Sequence, residues 1–193
     1  NILGASQSGF IDSVGFEMYS QLLEEAINKR QGKTQVRRKG NAEFNLQIDA
    51  YLPSDYISDE RQKIEIYKRI REIENQKDYQ DELIDRFGEY PDQVAYLIEI
   101  GLVKAYLDAA FAELVERKND TIIVRFEKAS LKFFLTQDYF EAISKTHLKA
   151  KISDNQGKVE ITFDVRNKKD YEILEELKIF GQTFMEIKKR KEK

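Results

Sequence analysis

The 193-residue sequence contains no cysteine, no tryptophan, two prolines and a single histidine. Without cysteine the chain can form neither a disulfide framework nor a thiolate metal site, and the absence favours a reducing compartment. The lone histidine, His147, has no second histidine or cysteine with which to form a usual zinc site or a Cys–His catalytic pair. We therefore expect no metal site and interpret His147 as a surface or strand-edge residue.

Two further absences concern membranes and nucleotides. No apolar run approaches the roughly 18 residues that a membrane-spanning helix needs, and no signal-peptide core is present, so we expect a soluble, cytoplasmic protein without membrane contact. The sequence also lacks a G-x-x-x-x-G-K-[ST] loop and cannot hold nucleotide phosphates in that way. We expect no cofactor and no enzymatic activity of this chain itself.

Charge of either sign is not in excess. Charged residues make up 35% of the chain, but both signs interleave and the formal net charge is −3. The overall charge therefore does not indicate nucleic acid or membrane binding, and any such site must be local. The chain begins at Asn1 rather than at methionine, which leads us to expect a piece of a longer protein.

Apolar periodicity predicts an α+β fold, with helices packed on a small, mostly antiparallel sheet and an N-terminal helical arm. We assign the arm and a basic linker to residues 1–41 and the domain to residues 42–193. The predicted strands cover residues 44–50, 114–117, 121–126, 148–152 and 159–165. One predicted helix starts after a cap at Ser58, and a second, shorter helix ends at Gly88. Three more helices are predicted over about 92–111, 136–145 and 168–188.

Two details of this prediction can be tested against a structure. The helix over about 92–111 is apolar nearly all round, so it should lie at the centre of the core. Its charged residues should mark whatever reaches solvent: Glu99, Lys104 and Asp108. In the last hairpin, apolar residues stay on one face if Ile152 lies opposite Val159.

A basic strip covers residues 29–39, which include six lysines and arginines and no acid. Two interpretations remain open. The strip is a solvated linker, or it contacts phosphates, with Lys33, Arg37, Arg38 and Lys39 as candidate DNA contacts. No aromatic residue lies between the basic residues, so the strip does not predict a platform for base stacking.

Residues 81–92, DELIDRFGEYPD, are typical of a helix end followed by a new helix. Gly88 fits a left-handed C-terminal cap, and Pro91 fits the first turn of the next helix. Neither role explains why acids cluster here. Glu82 and Asp85 lie three residues apart on one helix face, and three interpretations are open: a solvated face, a docking patch for a basic partner, or acid–base catalysis.

Two stretches resemble a known family. Residues 1–26, NILGASQSGFIDSVGFEMYSQLLEEA, resemble the segment that follows the last helicase motif in the bacterial transcription-repair coupling factors, the Mfd family. Their LGxxQSG pattern is the tail of a translocation motif shared with RecG-type DNA translocases. It comprises Leu3, Gly4, Gln7, Ser8 and Gly9. Residues 81–94, DELIDRFGEYPDQV, resemble the signature of the same family's C-terminal domain.

The resemblance implies that the full-length protein is an ATP-driven double-stranded DNA translocase of helicase superfamily 2. Such a protein uses ATP and magnesium, displaces stalled RNA polymerase and recruits the excision-repair protein UvrA. Its ATPase motifs lie upstream, so translocation is not expected of this chain. Gln7 matches the motif glutamine, which in the family helps to couple ATP hydrolysis to movement along DNA.

The resemblance also implies that this C-terminal domain is regulatory. In the family it packs against the N-terminal UvrB-like module and masks the surface that UvrA uses, so UvrA is an indirect partner. Glu82, Asp85 and Arg86 are then the partner-docking residues, because two carboxylates on one face can accept bidentate arginines. The alternative is an autonomous DNA-binding domain that uses the basic linker.

Overall fold

The computed structural model of the chain describes residues 37–71 and 76–192. The strands in these residues are β1 (Glu43–Asn45), β2 (Ala112–Lys118), β3 (Thr121–Phe126), β4 (Ala150–Asn155) and β5 (Lys158–Asp164). The helices are α1 (Glu60–Arg71), α2 (Gln76–Phe87), α3 (Asp92–Ala109), α4 (Thr136–Lys145) and α5 (Asp170–Lys191), with a 3-10 helix at Lys128–Lys132. The predicted α+β class is confirmed. None of the described helices is long and apolar enough to span a membrane.

The chain divides into two compact units. The described part of the first is Ile48–Leu102 without residues 72–75, and the second comprises Arg37–Gln47 with residues 103–192. The predicted helical arm lies outside the described residues. The predicted boundary between residues 41 and 42 stays a prediction.

The second unit is built on a five-stranded sheet with the order β1-β2-β3-β5-β4. β1 pairs with β2 in parallel, and the other three pairings are antiparallel, so the predicted mostly antiparallel sheet is confirmed. Helix α5 packs on one face through aromatic rings. Phe180 lies 5.0 Å from Phe163 of β5, and Phe184 lies 5.3 Å from Phe126 of β3, measured between ring centroids.

The register of the β4–β5 hairpin differs from the prediction. Ile152 pairs with Ile161 rather than with Val159. The reason lies in the turn, where Gln156 and Gly157 both adopt positive φ, 54° and 84°, and close a two-residue loop. A shift of two residues leaves every side chain on its predicted face, because the period of a strand is two.

Two element ends were also predicted wrongly. β1 covers three residues instead of the predicted 44–50, and Gln47 has a φ of 58°, which interrupts extended backbone. Helix α1 is capped by Asp59 rather than by Ser58. The Asp59 Oδ1 accepts two backbone N–H groups of the first turn, at 2.8 and 3.2 Å.

The first unit packs α1 against α3 with little space between them. Ile66 and Ile70 of α1 and Leu97 and Ile98 of α3 are all buried. A Cβ atom at Gly101 would lie 2.4 Å from Ile70 Cγ2, so only glycine permits this approach. The prediction that α3 is buried nearly all round is confirmed.

The prediction that the charges of α3 reach solvent is wrong for two of them. Lys104 and Asp108 are each only 6% exposed, and Lys104 Nζ lies 3.1 Å from Asp108 Oδ2. Lys104 Nζ also donates to Asn41 Oδ1 at 2.8 Å and to the carbonyl of Ala42 at 2.9 Å. The Asp108 Oδ1 accepts the N–H of Ala42 at 2.7 Å. The pair therefore fixes the segment that leads into β1, and burial raises the pKa of Asp108.

Candidate partner-docking site

The junction between α2 and α3 has the predicted geometry. α2 ends at Phe87, and Gly88 adopts a φ of 83°, with its N–H donating to the carbonyl of Ile84 at 2.9 Å. Pro91 directly precedes the first residue of α3, and its carbonyl accepts the N–H of Ala95 at 3.2 Å. The left-handed cap at Gly88 is thus confirmed.

Aromatic side chains support the inner side of this junction. The Tyr56 hydroxyl donates to the carbonyl of Gly88 at 3.4 Å, and its ring meets Phe87 edge-on with centroids 6.1 Å apart. The buried Tyr79 of α2 donates its hydroxyl to the carbonyl of Ile66 at 3.4 Å. Burial raises the pKa of Tyr79, so it remains a neutral donor at physiological pH. These contacts hold the outer face of α2 on a rigid support.

Glu82 is already paired within the chain. Its Oε2 lies 2.7 Å from Arg69 Nη2 of α1. Arg86 is more loosely placed, 3.9 Å from Glu82 and 3.8 Å from Glu65, with its guanidinium 4.9 Å from the ring centroid of Phe87. Glu82 and Arg86 therefore belong to a partly exposed group of ion pairs that connects α1 to α2.

Asp85 has a different environment. It is exposed, and no basic side chain among the described residues lies within ion-pair distance of its carboxylate. The same holds for Asp81, one helical turn earlier. Ile84 lies on the same face and is 44% exposed. The face can therefore offer two carboxylates for arginine fork contacts and one apolar contact beside them.

The structure thus brings together two of the three predicted docking residues, Glu82 and Arg86, and leaves Asp85 without a shared contact. The sequence did not identify Arg69. Its approach to Glu82 depends on how α1 packs against α2, and no spacing within the sequence encodes that contact. In the sequence, Asp81 was only one of several clustered acids. Ile84 was only one residue of the apolar pattern of the helix.

The basic strip is only partly described. Arg37 forms a double hydrogen bond with Glu127, at 2.8 and 3.1 Å, and that contact raises the pKa of Arg37. Arg38 and Lys39 are exposed, and neither pairs with an acid in the described part of the chain. The following predicted residues lie outside the described residues: Leu3, Gly4, Gln7, Ser8, Gly9 and Lys33.

His147 is exposed, as predicted, with its Nδ1 2.8 Å from Glu176 Oε1. Within residues 37–71 and 76–192, no group of three or more histidine, aspartate or glutamate side chains is arranged to hold a metal ion.

Comparison with known proteins shows which family the chain resembles. A family profile described as "TRCF domain" matches residues 46–137, which include the whole of α2. The transcription-repair-coupling factor of Bacillus subtilis is 46% identical over 125 residues, covering 63% of this chain and 11% of that protein. That of Staphylococcus aureus is 37% identical over 171 residues, covering 86% and 15%. The chain therefore spans a small part of the length of these curated relatives.

A solved structure gives a nearly complete match. The crystal structure of the C-terminal domain of transcription-repair coupling factor is 62% identical to this chain, with a TM-score of 0.77. The match covers 81% of this chain and 99% of that domain. The chain therefore belongs to the transcription-repair coupling factor family.

Proposed function

We propose that this chain is the regulatory C-terminal part of a double-stranded DNA translocase that displaces stalled RNA polymerase and recruits UvrA. ATP and magnesium then serve an upstream motor rather than this chain. We further propose that α2 docks on the UvrB-like module of the same protein and masks the surface that UvrA uses. Family membership and the geometry of α2 support this proposal.

The observation that carries the docking proposal is the exposed carboxylate of Asp85, which no basic side chain of residues 37–71 and 76–192 pairs with. An arginine of the partner can bind Asp85 without breaking an ion pair that the described residues form. Glu82 must instead leave Arg69, or share it, to bind a partner. Asp85 is therefore the first contact in this proposal, with Ile84 adding apolar area beside it, while Glu82 and Arg86 exchange partners during docking.

The free energies expected for these ion pairs suit a docking contact that forms and is released. An exposed ion pair contributes about 0.2–1 kcal/mol, and more where docking removes water. A differential of about 5.5 kcal/mol moves a two-state equilibrium from roughly 99:1 to 1:99. Contacts of this size reach such a differential only when several act together or when docking removes water, so the loss of a few of them releases the site.

The test is a binding titration of the isolated UvrB-like module with this chain, comparing wild type with Asp85→Lys. The matched control is Asp49→Lys, because Asp49 is an exposed acid outside α2 and the change in charge is the same. We expect Asp85→Lys to weaken binding at least about tenfold and the control to bind like wild type. Equal binding by all three proteins would reject docking through α2. UvrA binding to the module should decrease as the wild-type chain is added.

A second candidate function is DNA binding by the linker, which the exposure of Arg38 and Lys39 favours. Arg37 is less available because it already binds Glu127. The affinity for duplex DNA should fall with salt, and Arg38→Ala with Lys39→Ala should reduce the slope by about two. If the chain does not retard duplex DNA at low salt, this candidate is excluded.

A further inference from the structure

A second exposed surface lies in the sheet-containing unit, on the segment that joins β3 to α4. Leu131, Phe133 and Leu135 are 47%, 42% and 59% exposed. Ser130 before them and Phe134 between the last two are buried and anchor the segment to the interior. Three large apolar side chains therefore reach solvent within five consecutive residues, which is an arrangement that commonly marks an interaction site.

The basic end of α5 lies against this segment. Lys188 Nζ is 5.3 Å from the ring centroid of Phe133, and Lys191 Nζ donates to the carbonyl of Phe133 at 3.2 Å. Lys132 lies within the segment itself and is exposed. We call the group of Leu131, Lys132, Phe133, Leu135 and Lys188 the loop–α5 surface.

Two acids next to this surface are already paired with basic side chains. Asp138 forms an ion pair with Lys191, and Glu141 accepts two hydrogen bonds from Arg190 at 2.8 and 2.9 Å. Lys132 and Lys188 have no carboxylate partner in the described part of the chain, and Lys188 donates only to a backbone carbonyl, that of Ala109 at 3.2 Å. Lys132 and Lys188 therefore offer positive charge beside the apolar side chains.

We propose that the loop–α5 surface binds an acidic segment of a partner protein that also presents apolar side chains. The partner's carboxylates would meet Lys132 and Lys188, and its apolar side chains would cover Leu131, Phe133 and Leu135. Apolar anchors surrounded by charged contacts are the usual composition of a peptide-binding surface. This surface and the docking face of α2 share no residue, and their charges are opposite.

The geometry favours a protein segment over nucleic acid. One face of the Phe133 ring lies on Phe111, with centroids 5.3 Å apart and planes within 2° of parallel. That face is closed to a base, and Lys188 also lies over the ring, so Phe133 is not a free stacking platform. Leu131 and Leu135 offer no π face for stacking, whereas they can bury area against leucine or phenylalanine of a partner.

The experiment uses a designed, end-blocked helical peptide with leucines on one face and glutamates on the other. Two matched peptides replace the glutamates with lysines or the leucines with serines. We expect saturable binding of the acidic amphipathic peptide to this chain, measured by fluorescence anisotropy. Each matched peptide should bind at least about tenfold more weakly, because each lacks one of the two kinds of contact.

Variants of the chain locate the binding site. Leu131→Ser with Leu135→Ser, and separately Lys132→Glu, should each weaken binding of the acidic peptide at least about fivefold. The controls are Tyr171→Ser and Lys151→Glu. Tyr171 is 58% exposed near the start of α5, and Lys151 is an exposed lysine of β4.

Four results would overturn the proposal. They are absence of saturable binding by the acidic peptide, equal loss in the control variants, tighter binding of single-stranded DNA than of the peptide, and tighter binding of vesicles of anionic phospholipid. Far-ultraviolet circular dichroism and thermal melting of each variant show whether it is folded. Because the Lys132→Glu change removes no apolar area, it tests the proposal even if the leucine variant is destabilised.

Discussion

Glu82 Oε2 lies 2.7 Å from Arg69 Nη2, so the carboxylate nearest to the predicted docking role is already bound inside the chain. Asp85, three residues later on the same helix, is exposed and has no basic partner among the described residues. The two acids are close in sequence, but their environments differ in the chain without a partner. Glu82 connects α1 to α2, whereas Asp85 is available.

Stability and docking should therefore depend on different acids. We expect Glu82→Gln to lower the free energy of unfolding by about 0.2–1 kcal/mol, because the pair with Arg69 is partly exposed. Asp85→Asn should change it by less than about 0.5 kcal/mol, while weakening binding of the UvrB-like module more than Glu82→Gln does. Urea unfolding and a binding titration measure the two quantities. The opposite order in either measurement contradicts the assignment.

The cap at Gly88 allows a test of backbone strain alone. Gly88 has a φ of 83°, and no atom lies within 4 Å of the position that a Cβ would take. Gly88→Ala should therefore lower the free energy of unfolding by about 1–2 kcal/mol through conformation rather than through a clash. Gly88→Asn should cost less, because asparagine tolerates the left-handed region better. Chemical denaturation of the two variants checks this order, and an equal cost would argue against strain as the cause.

Gly101 provides the contrasting case, in which the cost is steric. A Cβ there would lie 2.4 Å from Ile70 Cγ2 and 3.0 Å from the Ile70 carbonyl oxygen. Gly101→Ala should lower the free energy of unfolding by about 1–3 kcal/mol, the usual cost of overpacking. Leucine lacks the Cγ2 methyl, so Ile70→Leu should relieve part of the clash. The double variant should then be less destabilised than the sum of the two single variants, and a strictly additive result in the denaturation cycle would place the clash elsewhere.

The features that were predicted correctly are those with local causes. The left-handed cap needs only Gly88, and the strand predicted over residues 121–126 needs only the β-branched and aromatic residues within it, which form β3. The register of the β4–β5 hairpin was missed because alternation fixes the face of a residue but not its partner. The two-residue turn at Gln156–Gly157 fixes the register, so Ile152 pairs with Ile161.

The candidate site shows the same difference between features with local causes and features that depend on the fold. The acids of α2 could be read from the sequence, because helical spacing places them on one face. The partner of Glu82 and the burial of Lys104 and Asp108 could not. Lys104 is satisfied by Asn41 and by a backbone carbonyl more than sixty residues earlier in the chain. The i, i+4 spacing of Lys104 and Asp108 is visible in the sequence, but the groups that satisfy the pair in the interior come from a distant segment of the chain.

The buried pair on α3 leads to a prediction about pH. Burial raises the pKa of Asp108 above its ordinary value of 3.8, although Lys104 and the N–H of Ala42 oppose this shift. A carboxyl with a higher pKa in the folded chain binds its proton more tightly there. Its contribution to stability is therefore fully present below about pH 3.8 and is lost as the pH rises through the folded pKa.

Asp108→Asn removes this titration at nearly constant volume. We expect the free energy of unfolding of wild type minus that of Asp108→Asn to decrease over this interval, measured by urea unfolding at closely spaced pH values. A difference that increases with pH would mean that Lys104 outweighs burial.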